Sequence, residues 1–261
     1  MIPPGPALGF VAVLGLLAVL QQGAGLGTVG WLGGLVAGAA TASLLARGRC
    51  GRGAVQLGPA DHVTLARAVL VCGVTAMVVG SVAGSAPGPR TTLVIVSLSM
   101  VALVLDAVDG AVARRTGTVS ALGARFDMEV DALLILVLGV HVAADVGWWV
   151  LAIGGYRYAL LAAATWAFWL RGQVPARRWR KAVAAVQGIV LTVGAAQLLA
   201  DPVVVAALLV SLALLTASFG TEIAELWRIR HLPTASPHET SRADDGPGMA
   251  RLRAGAGQWQ A

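Results

Sequence analysis

Four aspartates, Asp106, Asp109, Asp127 and Asp131, stand close together in strongly apolar sequence. With Gly110, Ala113, Arg114 and Gly123 they form the pattern D-x2-D-G-x2-A-R-x8-G-x3-D-x3-D. An acidic side chain at the centre of a membrane helix costs about 2.5–3.5 kcal/mol on insertion scales, so a group of them requires strong compensation. Carboxylate oxygens suit hard divalent cations, and two ions such as Mg²⁺ or Mn²⁺ would neutralise all four. At about 100° per residue, with Asp106 at zero, Asp109 falls near −60°, Gly110 near +40° and Ala113 near −20° on one helix face. On the following helix Gly123, Asp127 and Asp131 recur every fourth residue, and Ser120 joins their face. The segment around Arg115–Val119, containing Thr116-Gly117-Thr118, turns the chain between them. Two neighbouring helices can therefore direct the carboxylates at a common space. Gly110, Ala113 and Gly123 leave room there for a flat ring or a phosphate backbone, and Arg114 supplies a bidentate phosphate donor. Two metal ions holding a diphosphate suit in-line displacement at phosphorus.

The elements that must position these groups are membrane helices. Hydrophobic residues make up 57% of the chain and charged residues 12%, with a mean hydropathy of +0.78; a soluble domain carries about twice that charged fraction. Spans of about 20 apolar residues are expected near 5–22, 28–46, 65–85, 91–110, 126–146, 149–170, 182–200 and 202–224. The net charge of +6 is distributed as short basic clusters between spans, which excludes nucleic acid as the expected partner. Arg47, Arg49 and Arg52 follow the second span, Arg114, Arg115 and Arg125 the fourth, the run 171–181 the sixth, and Arg228 with Arg230 the eighth. The opposite loops carry almost nothing basic except Arg90 and show the interfacial pair Trp148–Trp149. The positive-inside rule places both termini and the acidic cluster on the cytoplasmic side of the cell membrane. Residues 1–46 read as an N-terminal transmembrane hairpin, 47–58 as a basic linker, 59–230 as the block holding the chemistry, and 231–261 as a disordered cytoplasmic tail. Pro59 and Asp61 can start a helix, and the mixed polar and apolar segment Pro59–Arg67 is expected to lie along the interface before the third span. Cys50 and Cys72 lack metal-ligand spacing and imply no disulfide framework.

The spaced acidic pattern resembles the signature of the CDP-alcohol phosphatidyltransferase family and fills every defined position of it. The wider resemblance covers about 59–230, an interfacial segment followed by six membrane helices. It implies an all-α polytopic membrane protein with a six-helix catalytic core preceded by the two-helix hairpin. It further implies that Asp106, Asp109, Asp127 and Asp131 hold two divalent ions, with Asp131 also the general base. Gly110, Arg114 and Ser120 match positions that bind the CDP-linked substrate, and Asp61 with Thr64 resembles the stretch that helps hold the nucleotide. The implied reaction is attack of an acceptor hydroxyl on the β-phosphorus of a CDP-alcohol, usually CDP-diacylglycerol, with release of CMP. Homodimerisation and association with membrane lipid are expected of the family. Family members that use phosphorylated acceptors have basic residues where this chain has Arg177, Arg178, Arg180 and Lys181, so inositol phosphate or glycerol phosphate is the favoured acceptor. Ala132 stands where several subfamilies carry Lys or Arg, which leaves the acceptor open.

Other readings compete. The acids could form a structural ion-pair network with Arg114, Arg115 and Arg125, or a cation path in a transporter, or decorate a non-catalytic membrane scaffold. Against a transport path, the acids cluster at one face, and Arg114 would repel a passing cation. Arg157 falls inside the sixth span, where it either serves the site or snorkels to the outer interface. His141 and Asp145, four residues apart, are expected to form a local hydrogen bond.

Overall fold

The computed structural model describes residues 4–49, 59–84, 88–116, 121–167 and 178–230. Among these residues there are eight α-helices and no strand: α1 Pro4–Ala24, α2 Thr28–Arg49, α3 Pro59–Ala83, α4 Pro89–Thr116, α5 Ala121–Val146, α6 Leu151–Trp166, α7 Arg178–Ala195 and α8 Asp201–Arg230. The chain is an all-helical polytopic membrane protein, six helices following an N-terminal pair. Five helices, α1, α2, α3, α4 and α8, are long and apolar enough by length and composition to cross a bilayer. The others fall short for local reasons. The first half of α5 carries Asp127, Glu129 and Asp131, α6 has only 16 residues, and the apolar part of α7 is confined to Ala182–Ala195.

Two glycines turn the chain where other residues would be strained. Gly25, at φ +70°, links α1 to α2, and Gly147, at φ +123°, ends α5 before a single 3₁₀ turn at Trp148–Val150 leads into α6. Both lie in the left-handed or neighbouring region that a residue with a Cβ rarely adopts.

α3 is the central helix, packed against α1, α2, α4 and α5. It is continuous from Pro59, so the segment expected to lie along the interface forms its first turns instead. Pro59 suits a helix start, and no later proline interrupts the run to Ala83. α7 packs against α4, α5 and α8, and α6 against α5 and α8. A bilayer supplies no hydrophobic drive to bring helices together, so close contact depends on small residues at the crossing points. On α2, a Cβ at Gly30 would come within 2.8 Å of the Ala76 carbonyl oxygen of α3, and one at Gly33 within 2.9 Å of Val79. On α6, a Cβ at Gly154 would sit 2.5 Å from Leu136 Cα of α5.

The Leu136 contact is backbone and cannot rotate away. Gly154→Ala is therefore expected to force α5 and α6 apart and destabilise the protein by about 1–3 kcal/mol. Gly155→Ala, one residue on, has nothing within 4 Å and should be close to neutral. Thermal unfolding of the two variants in the same lipid nanodisc checks the contrast.

Candidate metal centre

The site forms where α3, α4 and α5 meet, and its centre is an arginine. Arg67 of α3 has a side chain only 1% exposed. Its Nη1 pairs with Asp106 Oδ1 on α4, and its Nη2 pairs with Asp127 Oδ1 on α5. The same Nη2 lies 3.2 Å from Asp131 Oδ1, one turn further along α5, and donates to the Asp127 carbonyl oxygen at 3.3 Å. A lone guanidinium in this position would be costly, as would each carboxylate. Their charges offset one another only when three helices come together.

The offset is incomplete. One guanidinium against three carboxylates leaves the group with excess negative charge, and the fork cannot saturate six carboxylate oxygens. Asp106, Asp127 and Asp131 each offer one oxygen such that the three atoms lie within 4.8 Å of one another. Opposite ligands of a single Mg²⁺ are about 4.2 Å apart, twice a bond of 2.0–2.1 Å. The donor set, the spacing and the residual charge all fit a hard divalent cation. All three aspartates are about one-third exposed, so the cluster is open to an ion on one side.

The spacing that puts Asp127 and Asp131 on one face of α5 is the helical i, i+4 relation. Asp106 reaches them from α4 because α3 packs closely against both helices. Asp109 lies on α4, three residues beyond Asp106, with its side chain outside the described residues. Gly110 is half-buried on α4, and Gly123 is half-buried near the start of α5. Thr64 is buried on α3, one turn before Arg67. Asp61 occupies the first turn of α3, Ala113 and Arg114 the last turns of α4, and Arg178, Arg180 and Lys181 the first turn of α7. The side chains of these six lie outside the described residues, and Ser120 and Arg177 lie outside them altogether.

Arg67 is the residue that reading the sequence missed. In the sequence it reads only as the end of an interfacial segment, although it immediately precedes the apolar run Ala68–Val79 and an ionisable residue within a span must find a partner. The four nearby acids required cations, and that requirement could have singled it out.

A second ion pair lies next to the first. Arg157 of α6 donates from Nη2 to Glu129 Oε1 of α5, with each side chain 30% exposed. Glu129 stands two residues from both Asp127 and Asp131. Arg157 therefore turns inward to α5 rather than to the outer surface. Tyr156 beside it hydrogen-bonds Thr216 of α8 at 2.9 Å, and its ring packs 5.5 Å from Phe219. At the far end of α5, Asp145 accepts from Gln197 Nε2 at 2.7 Å, while His141 Nε2 is buried without a hydrogen-bond partner among the described residues. The expected His141–Asp145 bond gives way to this contact with the α7–α8 connection.

Residues 59–219 match the family model for CDP-alcohol phosphatidyltransferase. No curated protein matches the chain, and no solved structure matches it.

The Glu129–Arg157 contact yields a double-mutant cycle. Glu129→Ala and Arg157→Ala are each expected to lower thermal stability, with the double variant losing less than the sum of the two. A coupling energy of about 0.5–3 kcal/mol is expected for such a pair. Strict additivity in nanodisc unfolding would show that the two side chains do not interact.

Proposed function

Because the chain belongs to the CDP-alcohol phosphatidyltransferase family, we propose that it transfers a phosphatidyl group from CDP-diacylglycerol to a phosphorylated polyol, releasing CMP. The observation that carries this reading is the convergence of Asp106, Asp127 and Asp131 at cation-binding distance within the matched region. Asp106, Asp127 and Asp131, with Asp109 one turn along α4, would hold two Mg²⁺ or Mn²⁺ ions. When bound, the metals would neutralise the diphosphate and stabilise charge on the departing CMP.

The remaining work falls to side chains of this chain. Asp131 accepts the proton of the acceptor hydroxyl, so that oxygen forms the new bond to the β-phosphorus as the bond to the CMP oxygen breaks. Gly110, Ala113 and Gly123 leave space for the nucleotide, while Arg114 and Ser120 bind its phosphates. Asp61 and Thr64 hold the cytidine end from the start of α3. Arg177, Arg178, Arg180 and Lys181 supply the positive charge that a phosphorylated acceptor requires. α7 begins with Arg178, Arg180 and Lys181 even though cations at a helix N-terminus oppose the macrodipole, which favours a role beyond helix stability. The catalytic unit is 59–230, with both termini and the site on the cytoplasmic face of the cell membrane, and the protein acts as a homodimer. The 1–46 hairpin braces α3, a role favoured by its close packing on that helix.

The test is CMP release by purified protein in nanodiscs containing CDP-diacylglycerol, with Mg²⁺ or Mn²⁺ and a panel of acceptors. Glycerol 3-phosphate and inositol 1-phosphate are expected to support release, and inositol, serine and phosphatidylglycerol to support far less. Asp131→Asn should lower the rate by about 10²–10⁴-fold, the usual contribution of a general base, while leaving the protein folded. A variant as active as the wild type would remove Asp131 from the chemistry. Absence of both metal and nucleotide binding in the wild type would overturn the enzyme reading.

A further inference from the structure

We propose that Arg67 is a positioning residue that sets the geometry of the metal centre from beneath, rather than a stand-in cation that an incoming ion displaces. The inference rests on the metal-binding reading of the aspartates and adds a role for a residue outside the acidic signature.

The argument begins with the difference in exposure. Arg67 is 1% exposed, whereas Asp106, Asp127 and Asp131 are 37%, 35% and 32% exposed. The guanidinium is therefore enclosed by protein, and the accessible part of the carboxylates lies on the side away from it. An ion arriving from the open side meets carboxylates whose Oδ1 atoms are already directed at Arg67. Each carboxylate has a second oxygen, so binding to the guanidinium does not exhaust its capacity.

The contacts also fix orientation. Nη1 holds the carboxylate from α4, while Nη2 holds one from α5 together with the Asp127 carbonyl oxygen. A planar fork of this kind constrains direction as well as distance, which the rotating ammonium of lysine does not. Carboxylates that ligate metals are commonly held in this way by a further hydrogen-bonding partner, and losing such a partner typically costs about 10–100-fold in metal affinity. Arg67 Nε is buried and makes no hydrogen bond among the described residues. Among the described residues, the guanidinium is held through its two terminal nitrogens alone.

Electrostatics and orientation predict opposite signs. Removing a positive charge beside a cation site strengthens cation binding if charge alone matters, and weakens it if the guanidinium orients the ligands. The experiment measures Mn²⁺ binding without nucleotide, by electron paramagnetic resonance, on wild type, Arg67→Gln and Arg67→Lys in nanodiscs. Circular dichroism and size-exclusion behaviour serve as the fold check. Both variants are expected to bind Mn²⁺ about 10–100-fold more weakly than wild type. Arg67→Lys also keeps the charge, so it decides the question if Arg67→Gln does not fold. Unchanged affinity in Arg67→Lys, or tighter binding in Arg67→Gln, overturns the proposal and leaves the metal centre standing. A wild type that binds no Mn²⁺ overturns the metal centre, and this inference with it.

Discussion

A charge placed among membrane helices must be offset by protein, because lipid offers neither water nor counterions. In this chain that constraint acts through Arg67, which is buried in α3 and answered by Asp106 on α4 and by Asp127 and Asp131 on α5. None of the three helices can hold its charge alone. The ion-pair cluster therefore fixes how the helices are rotated relative to one another, in a setting where apolar side chains are poor at specifying rotation. The same requirement gathers the acids into a group whose charge exceeds what one guanidinium balances.

The packing around the cluster follows a different rule. Glycines at the α2–α3 and α5–α6 crossings admit close backbone approach, so dispersion contacts hold helices that the hydrophobic effect cannot. α5 is held from both directions, by the Arg67 contacts on one side and by Gly154 and the Glu129–Arg157 pair on another. The half of α5 that carries Asp127 and Asp131 is consequently the half with the most polar anchors. The rest, from Ala132 to Val142, is mainly apolar and packs into the core.

The helices and their approximate limits were legible in the sequence because apolar runs of span length are separated by basic or glycine-containing breaks. The facing of Asp127 and Asp131 was legible too, since i, i+4 spacing on a helix fixes it. Arg67 was not recognised because its partners lie 39 and 60 residues away, and local periodicity carries no information about contacts between helices. The continuity of α3 from Pro59 was not legible for a related reason. Pro59–Arg67 has interfacial composition, but Thr64 and Arg67 are buried against neighbouring helices while His62 is exposed. Arg157 had two readings in sequence, and its choice of Glu129 depended on how closely Gly154 lets α6 approach α5.

The same sequence separations have a meaning in time. Arg67 leaves the ribosome 39 residues ahead of Asp106 and 60 ahead of Asp127. At roughly 5–20 residues per second, the longer interval lasts about 3–12 s. For the first 39 residues of it α3 carries a cation with none of these partners, and only at its end is Asp127 of α5 made. The helices already available are α1 and α2, which pack along α3 in the finished protein. An N-terminal hairpin in that position gives a nascent charged helix a surface to rest on until its counter-charges emerge.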